Sequence, residues 1–344
     1  MDARRAYTPD TSGAPYHKPY PRRDSWTVPV GCTSHPEPKT AGDSVAILLG
    51  TYNGEAYLSD QIDSIAAQKH QNWSLWASDD DSSDQTPQIL QRYQQNLDNP
   101  VHCLRGPAQG FATNFLSLVN HPSIEADYYS YCDQDDIWEA NKVERAVRAL
   151  KEIPAHKPAI YFSRTMLITA DNTVIGPSTQ FQRPPTFANA LVQNIGAGNT
   201  MVFNRAAREL LCEAGIPKVI CHDWWSYMLV TGAGGEVIYD KATPVRYRQH
   251  VSNNIGANFS SFDKMRRFKK MMLGHYRKWN AANTQALTEN KHLLTQRNRQ
   301  TLEHFCHARN NRITSLMHLK KSGVYRQTTA SNLALNLGLL IGRV

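Results

Sequence analysis

From Val45 onward the chain alternates between two hydrophobic rhythms. VAILLGTYN (Val45 to Asn53) is apolar almost throughout, as a strand buried on both faces and ending in a loop must be. The next stretch, YLSDQIDSIAAQ, instead spaces Leu58, Ile62 and Ile65 three and four apart, which predicts a helix. NWSLWASDDD reads as a second strand running into an acidic loop. DQTPQILQRYQQNL reads as a helix with Thr86 or Asp84 placed to cap, Pro87 early, and Ile89, Leu90 and Tyr93 on one face. VHCLRG is a short third strand, GFATNFLSLVNH a helix, and ADYYSYCDQDD a fourth strand. Strand and helix alternating over short connections predict an α/β fold with a mainly parallel sheet flanked by helices. Ligands of such sheets bind beyond the carboxyl ends of the strands. Both acidic clusters, Asp79-Asp80-Asp81 and Asp133-Gln134-Asp135-Asp136, follow a strand and are expected at one edge.

Further along, AIYFSRTMLITADNTVIG (Ala159 to Gly176) reads as a hairpin turning at Asp171-Asn172. NIGAGNTMVFNRAARELL is a Gly-rich lead into a strand and a helix. CHDWWSYMLVTGAGG is a helix opened by His222 and Asp223, and EVIYDKATPVRYRQH is strand-like. After Asn258, Met, Leu and aromatic residues mix with Lys and Arg with few turn signals before Gly323, which predicts a helical appendage. Residues 1–43 are rich in Pro, Ser, Thr and Arg without apolar period, as in a disordered tail. The expected organisation is a tail over 1–43, an α/β body over 44–258 and a helical extension over 259–344.

Charge sharpens that division. Between Ser261 and Val344 seven Lys and nine Arg face three acids, an excess of +13 in a chain whose total is +8. The body is therefore acidic and its extension basic, a distribution suited to an anionic surface. The six scattered cysteines form no C-x-x-C pair, which fits a reducing compartment. No apolar run reaches the roughly 20 residues of a spanning helix, and MDARRAYTPDTSG lacks a signal-peptide core. The expected location is cytoplasmic, peripheral at the inner face of the membrane. LALNLGLLIG is too short to span and is left to pack on the body or rest against a membrane.

Carboxylates converging at one edge repel one another, and desolvating them costs several kcal/mol each unless a counter-charge is present. A divalent cation supplies it, and hard oxygen ligands select Mg²⁺ or Mn²⁺, which accept substrate phosphates as further ligands. Asp133 and Asp135 at i and i+2 on a strand end would point to the same side. Tyr131, Ile137 and Trp138 frame the loop with apolar surface.

Several pieces in order carry a resemblance: TYNGEAYLSDQIDSIAAQ, ASDDDSSDQT, GFATNFLSLV, YCDQDDIWEANKVE, GAGNTMVFNR, HDWW and YRQH. Over roughly 215 of 344 residues the chain resembles family 2 glycosyltransferases of the GT-A fold, and most closely their rhamnosyltransferase-like branch. Asp81 departs from the pattern, standing where the family usually has Gly. The resemblance implies that Thr51, Tyr52 and Glu55 hold base and ribose, and that Asp79 or Asp80 contacts the base. It puts metal and diphosphate on Asp133 and Asp135, beside Gln134. Asp136 becomes a sugar contact or a structural cap. Arg248 is expected to neutralise phosphate, and His250 to complete the metal site or touch the diphosphate. Asp223 is the implied general base, with helix capping as its other use. Gly198, His222, Trp224 and Trp225 are placed toward the acceptor, although core packing serves the two tryptophans equally well.

The implied reaction is inverting transfer of a hexose from a nucleotide-diphosphate sugar, with dTDP-L-rhamnose favoured, to a lipid-linked or growing cell-surface glycan. A nucleic-acid partner would want basic and aromatic residues on the sheet, and here the ligand edge is acidic. A nucleotidyltransferase would want a phosphate-cradling G-x-x-x-x-G-K, which is missing. An inactive, nucleotide- or glycan-binding relative is the remaining alternative, motivated by Asp81.

Overall fold

The computed structural model describes residues 43–250, 275–311 and 313–342. Residues 1–42 of the expected tail, the end of the expected body (251–258) and the first part of the extension (259–274) lie outside the described residues. Among those described, seven strands form one sheet in the order β10-β6-β9-β4-β1-β2-β3. They are β1 (Val45–Thr51), β2 (Trp73–Asp79), β3 (Val101–Arg105), β4 (Tyr128–Cys132), β6 (Ala159–Ser163), β9 (Val202–Asn204) and β10 (Glu236–Asp240). All pairings are parallel except those of β9, which runs against both β4 and β6.

The continuous apolar run of β1 now has its reason. Val45, Ile47 and Leu49 face one core, shared with Leu58, Ile62 and Ile65 of α1 (Leu58–Ala66) and Leu90 of α2 (Thr86–Asn96). Ala46 and Leu48 face the other, shared with Phe115 and Leu116 of α3 (Phe111–Val119) and with α6 (Arg205–Ala214) and α7 (His222–Gly232). A strand between two cores cannot alternate apolar with polar residues. α4 (Lys142–Lys151) leads to β6, and the short α5 (Phe187–Ala190) packs against α7. The strand order reverses between β1 and β4, so the crevice beyond their carboxyl ends is the switch point where α/β sheets bind ligands.

A smaller sheet of four strands, β5-β11-β7-β8, lies beside this crevice. It comprises β5 (Ile137–Trp138), β7 (Met166–Thr169), β8 (Val174–Pro177) and β11 (Val245–Gln249). This corrects the reading of 159–176 as one hairpin. Residues Ala159–Ser163 pair in the large sheet, and the hairpin is β7 with β8, turning where Asn172 has a φ of +66°. The turn chemistry was readable, whereas the change of sheet at Arg164-Thr165 left no local mark.

Four helices follow: α8 (His275–Glu289), α9 (Gln296–Asn310), α10 (Ser315–Ser322) and α11 (Thr329–Leu340). They are helical as expected, but their apolar faces are not set apart. Leu287, Leu302, Phe305 and Leu335 belong to the same hydrophobic cluster as Leu48 and Trp225.

Candidate active site

The loops after β1 and β2 are built on backbone donors. Asp79 accepts the Thr51 hydroxyl at 2.9 Å, the Ser82 hydroxyl at 2.6 Å and the Ser82 N–H at 3.0 Å. Asp80, buried, accepts the N–H groups of Ala108 at 2.6 Å and Gly110 at 3.0 Å. Glu55 and Asp84 clasp reciprocally: Glu55 accepts from Gln85 N at 2.9 Å, and Asp84 accepts from Glu55 N and Thr86 N, each at 3.0 Å. Asp84 thus holds the first N–H of α2 from one residue outside the helix, while the N-cap position itself falls on Gln85, which makes no side-chain cap bond, rather than on Asp84 or Thr86. Asp81 has a φ of +72°, the left-handed backbone for which Gly is ordinarily used and which Asp tolerates. The tight turn is made without the family's Gly. Thr51 is buried, while Tyr52 projects into solvent with 59% of its surface exposed.

The D-x-D residues stand in the turn between β4 and β5 rather than on an extended strand end, so the period-two argument does not apply to them. Gln134 was expected at the nucleotide sugar. Its side chain instead grips the loop after β1, accepting from Tyr52 N at 2.8 Å and donating to Tyr52 O at 3.0 Å. A Cβ on Gly54 would lie 2.4 Å from this amide oxygen, which is why the loop carries no side chain there. Asp136 is fully buried and accepts from Arg248 N at 3.1 Å and from the Asn199 amide. It ties the turn to β11 and to the Gly198 loop, so the structural-cap reading replaces the sugar contact.

Arg248 is likewise a correction. Its guanidinium is 1% exposed and reaches inward to Asp60 at 3.0 Å, to the carbonyls of Asp135 at 2.9 Å and Ala170 at 2.8 Å, and to Asn172, over the Tyr57 ring. It braces the turn from behind and has no open face for phosphate. The carboxylates of the turn that stay partly exposed are Asp133 and Asp135. His250 Nε2 lies 2.7 Å from Asp135 Oδ2. Burial, then the charges of Asp135 and Asp223, push the Asp133 carboxyl well above the usual carboxylate range.

Asp223 opens α7 at the far side of this crevice. Its carboxylate accepts Gly198 N at 3.1 Å and its neighbour Trp224 N at 2.6 Å. Burial raises it to about 6, against the pull of Trp224 N, Asn194 and Gly198 N. Gly198 is needed for space, because a Cβ there would meet His222 Nε2 at 2.8 Å. The other acceptor candidates are corrected. Trp225 is wholly buried, and Trp224 is 6% exposed with its indole N–H on Ala190 O at 2.7 Å, so neither can stack on a sugar. His222 is packed face to face on Phe115 at 3.9 Å, and burial lowers it to about 3. An α7 buried on every side, rather than on one stripe, is what turns these rings inward.

Two residues were missed. Asn199 links the D-x-D turn to the Gly198 loop through Asp136. Lys142, wholly buried, donates to Ser130 Oγ at 2.6 Å and lies 3.4 Å over the Trp138 ring. Burial lowers its amine to about 7, while Cys132, Asp136 and Asp133 oppose that fall. It is the internal counter-charge behind the acidic turn. Its signal was a lysine on the apolar side of a helix, four residues after Trp138.

Comparison with known proteins gives three kinds of finding. The model of the family "Glycosyl transferase family 2" matches residues 46–214. The dTDP-rhamnosyl transferase RfbG of Shigella flexneri is 29% identical over 242 residues, 67% of this chain and 81% of that one. The UDP-Glc:alpha-D-GlcNAc-diphosphoundecaprenol beta-1,3-glucosyltransferase WfgD of Escherichia coli is 28% identical over 189 residues, 54% and 69% of the two chains. The crystal structure of S. aureus TarS 1-349 in complex with UDP-GlcNAc aligns with a TM-score of 0.53 at 15% identity, covering 87% of this chain and 79% of that one. This last likeness is one of fold, and the GT-A architecture expected from the sequence is the architecture found.

Proposed function

From the match of residues 46–214 to the glycosyl transferase family 2 model, we propose that the chain transfers a hexose, with inversion, from a nucleotide-diphosphate sugar to a lipid-linked or polysaccharide acceptor in cell-surface glycan synthesis. The observation that carries this reading is one juxtaposition. The partly exposed Asp133 and Asp135 of the turn after β4 lie near Asp223 of α7, whose charge adds to burial and to Asp135 in raising Asp133. The favoured donor, dTDP-L-rhamnose, draws support from the 29% identity to the Shigella dTDP-rhamnosyl transferase.

The proposed roles draw on the following geometry. Tyr52, free in solvent beside Thr51, offers a ring to the base, with Glu55 and Asp79 or Asp80 as acceptors on its rim. Asp223, its carboxylate held by two N–H groups and raised toward neutrality, takes the proton of the acceptor hydroxyl. Attack opposite the departing diphosphate needs no covalent intermediate on the protein.

The chemistry of the donor set fits a divalent ion. Two carboxylates in mutual repulsion and a neighbouring imidazole suit Mg²⁺ or Mn²⁺, which take their other ligands from water and phosphate. Among the described residues no three such side chains are arranged to hold a metal by themselves. Asp133, Asp135 and His250 would hold the ion together with donor oxygens, and it would neutralise charge on the leaving diphosphate. Peripheral residence at the inner face of the membrane suits a lipid-linked acceptor, and among the described residues no helix is long and apolar enough to cross.

The test is nucleotide release from dTDP-L-rhamnose and other nucleotide sugars, with Mn²⁺ or with EDTA, by the full chain and by Asp223→Asn. Metal-dependent release from one donor, lost in the variant, is expected. If no donor is turned over with either metal, the transfer reading fails.

A further inference from the structure

The last helix carries no charged residue anywhere along Thr329–Leu340. Its two sides meet different surroundings. Leu335, Gly338 and Leu339 are buried, the two leucines in the core shared with the sheet. Ala330, Leu333, Asn336, Leu337 and Leu340 fall within about 120° of arc at 3.6 residues per turn, and all five are exposed. Leu333 is 70% exposed. A helix face kept in water is ordinarily studded with charge, and this one has none.

The neighbouring helix extends the same character. α10 packs on α11 and turns Leu316 and Met317 outward, with Ile313 97% exposed just before it. It ends on the exposed pair Lys320 and Lys321. Among the described residues, seven of the twelve exposed large apolar side chains lie between 313 and 341. Such concentration marks a docking surface rather than scattered surface leucines. Charge identifies the occupant. The charged residues between 313 and 342 are Lys320, Lys321 and Arg326, all basic, so no acidic residue in this stretch opposes an anionic surface. Leucines on one side and amines beside them are the composition of a helix that lies in a lipid headgroup layer.

We propose that the outer face of α11, with the tip of α10, docks on the surface of an anionic bilayer. The 12 residues of α11 span about 18 Å, short of a hydrocarbon core of roughly 30 Å, so the helix lies on the membrane and does not cross it. Bringing the crevice to a lipid-linked acceptor is the purpose this would serve and rests on the transfer reading above; the surface itself does not.

The experiment is flotation of the full chain with phosphatidylglycerol-containing vesicles and with pure phosphatidylcholine vesicles, at low and physiological salt. The wild type should float with the anionic vesicles, more weakly as salt rises. Leu333→Asp with Leu337→Asp should cut that partition about tenfold or more. Both positions are exposed, so thermal melts should match the wild type. Lys320→Glu with Lys321→Glu should lower the anionic preference and leave part of the binding. A wild type that stays out of the vesicle fraction, or a double aspartate variant that floats unchanged, overturns the proposal. So does a vesicle-free dimer that the aspartates dissociate, which would make this face a contact between copies. Nucleotide release in vesicle-free buffer, run in parallel, tests the transfer reading separately.

Discussion

Two clusters of aspartates hang from the same sheet edge, and they are electrostatic opposites. Asp79 and Asp80 together receive five donors, three of them backbone N–H groups. Their charge is met by the fold itself, which uses them to shape the loops after β2 and β3. In the second cluster Asp133 is pushed upward by burial first, then by the charges of Asp135 and Asp223, with the buried Lys142 opposing. Runs of identical letters therefore say little about where charge is still wanting. That depends on which cluster the backbone supplies with N–H groups.

The largest effect should come from the undersupplied cluster. Asp135→Asn removes a charged ligand and should lower transfer by about 10²-fold or more, the scale of losing several kcal/mol of charge stabilisation. EDTA should reproduce this in the wild type, and calorimetry should show the variant's donor affinity no longer responding to Mn²⁺. Equal donor affinity with and without metal would erase the contrast between the clusters.

Next comes Asp223→Asn, with transfer down roughly 10²-fold and donor binding near normal. As the proposed base, Asp223 would work only when ionised, and burial raises it to about 6. Wild-type transfer should therefore fall as pH drops through about 6, and the variant's residual rate should lack that limb. Its melting temperature should not drop, since the fold disfavours the ionised form that the substitution removes. A pH profile unchanged by the substitution would leave Asp223 as a helix cap.

Asp80→Asn probes the supplied cluster, and its main cost should be stability. Hydrogen bonds to a charged acceptor contribute about 1.5–3 kcal/mol, so denaturant melts should show a loss of that order. Metal dependence should survive. Smallest of all is Asp81→Gly. Gly relieves the left-handed backbone but adds unfolded-state entropy, and the exposed Arg105 pair at 3.8 Å is worth about 0–1 kcal/mol. Stability should move by less than about 1 kcal/mol with activity unchanged. A large gain in activity would mean that Asp81 had been holding the site in an impaired state.

Much of this was legible in the sequence because it is local. β1, the alternation of strands and helices, and the placement of both acidic clusters at one edge all follow from hydrophobic period. Asp223 was singled out by its motif, and the structure ties it to Gly198 N–H, a glycine that the same resemblance had marked. What escaped depends on tertiary partners. Nothing in YRQH shows that Arg248 turns back to Asp60, 188 positions away. Nothing in HDWW shows that α7 is enclosed on every side, sending both tryptophans into the core. The division of 159–176 between two sheets is of the same kind, since β6 and β7 look alike as strands until their neighbours are known.

The bond between Gln134 and the Tyr52 backbone also bears on how a donor arrives. Fixing a free residue costs about 1–2 kcal/mol of conformational entropy, and here the loop after β1 is already fastened to the D-x-D turn by two hydrogen bonds. That ordering is completed during folding, so association need not wait for the two loops to find each other. A donor bound as proposed would therefore not have to supply the cost of ordering these two loops against each other.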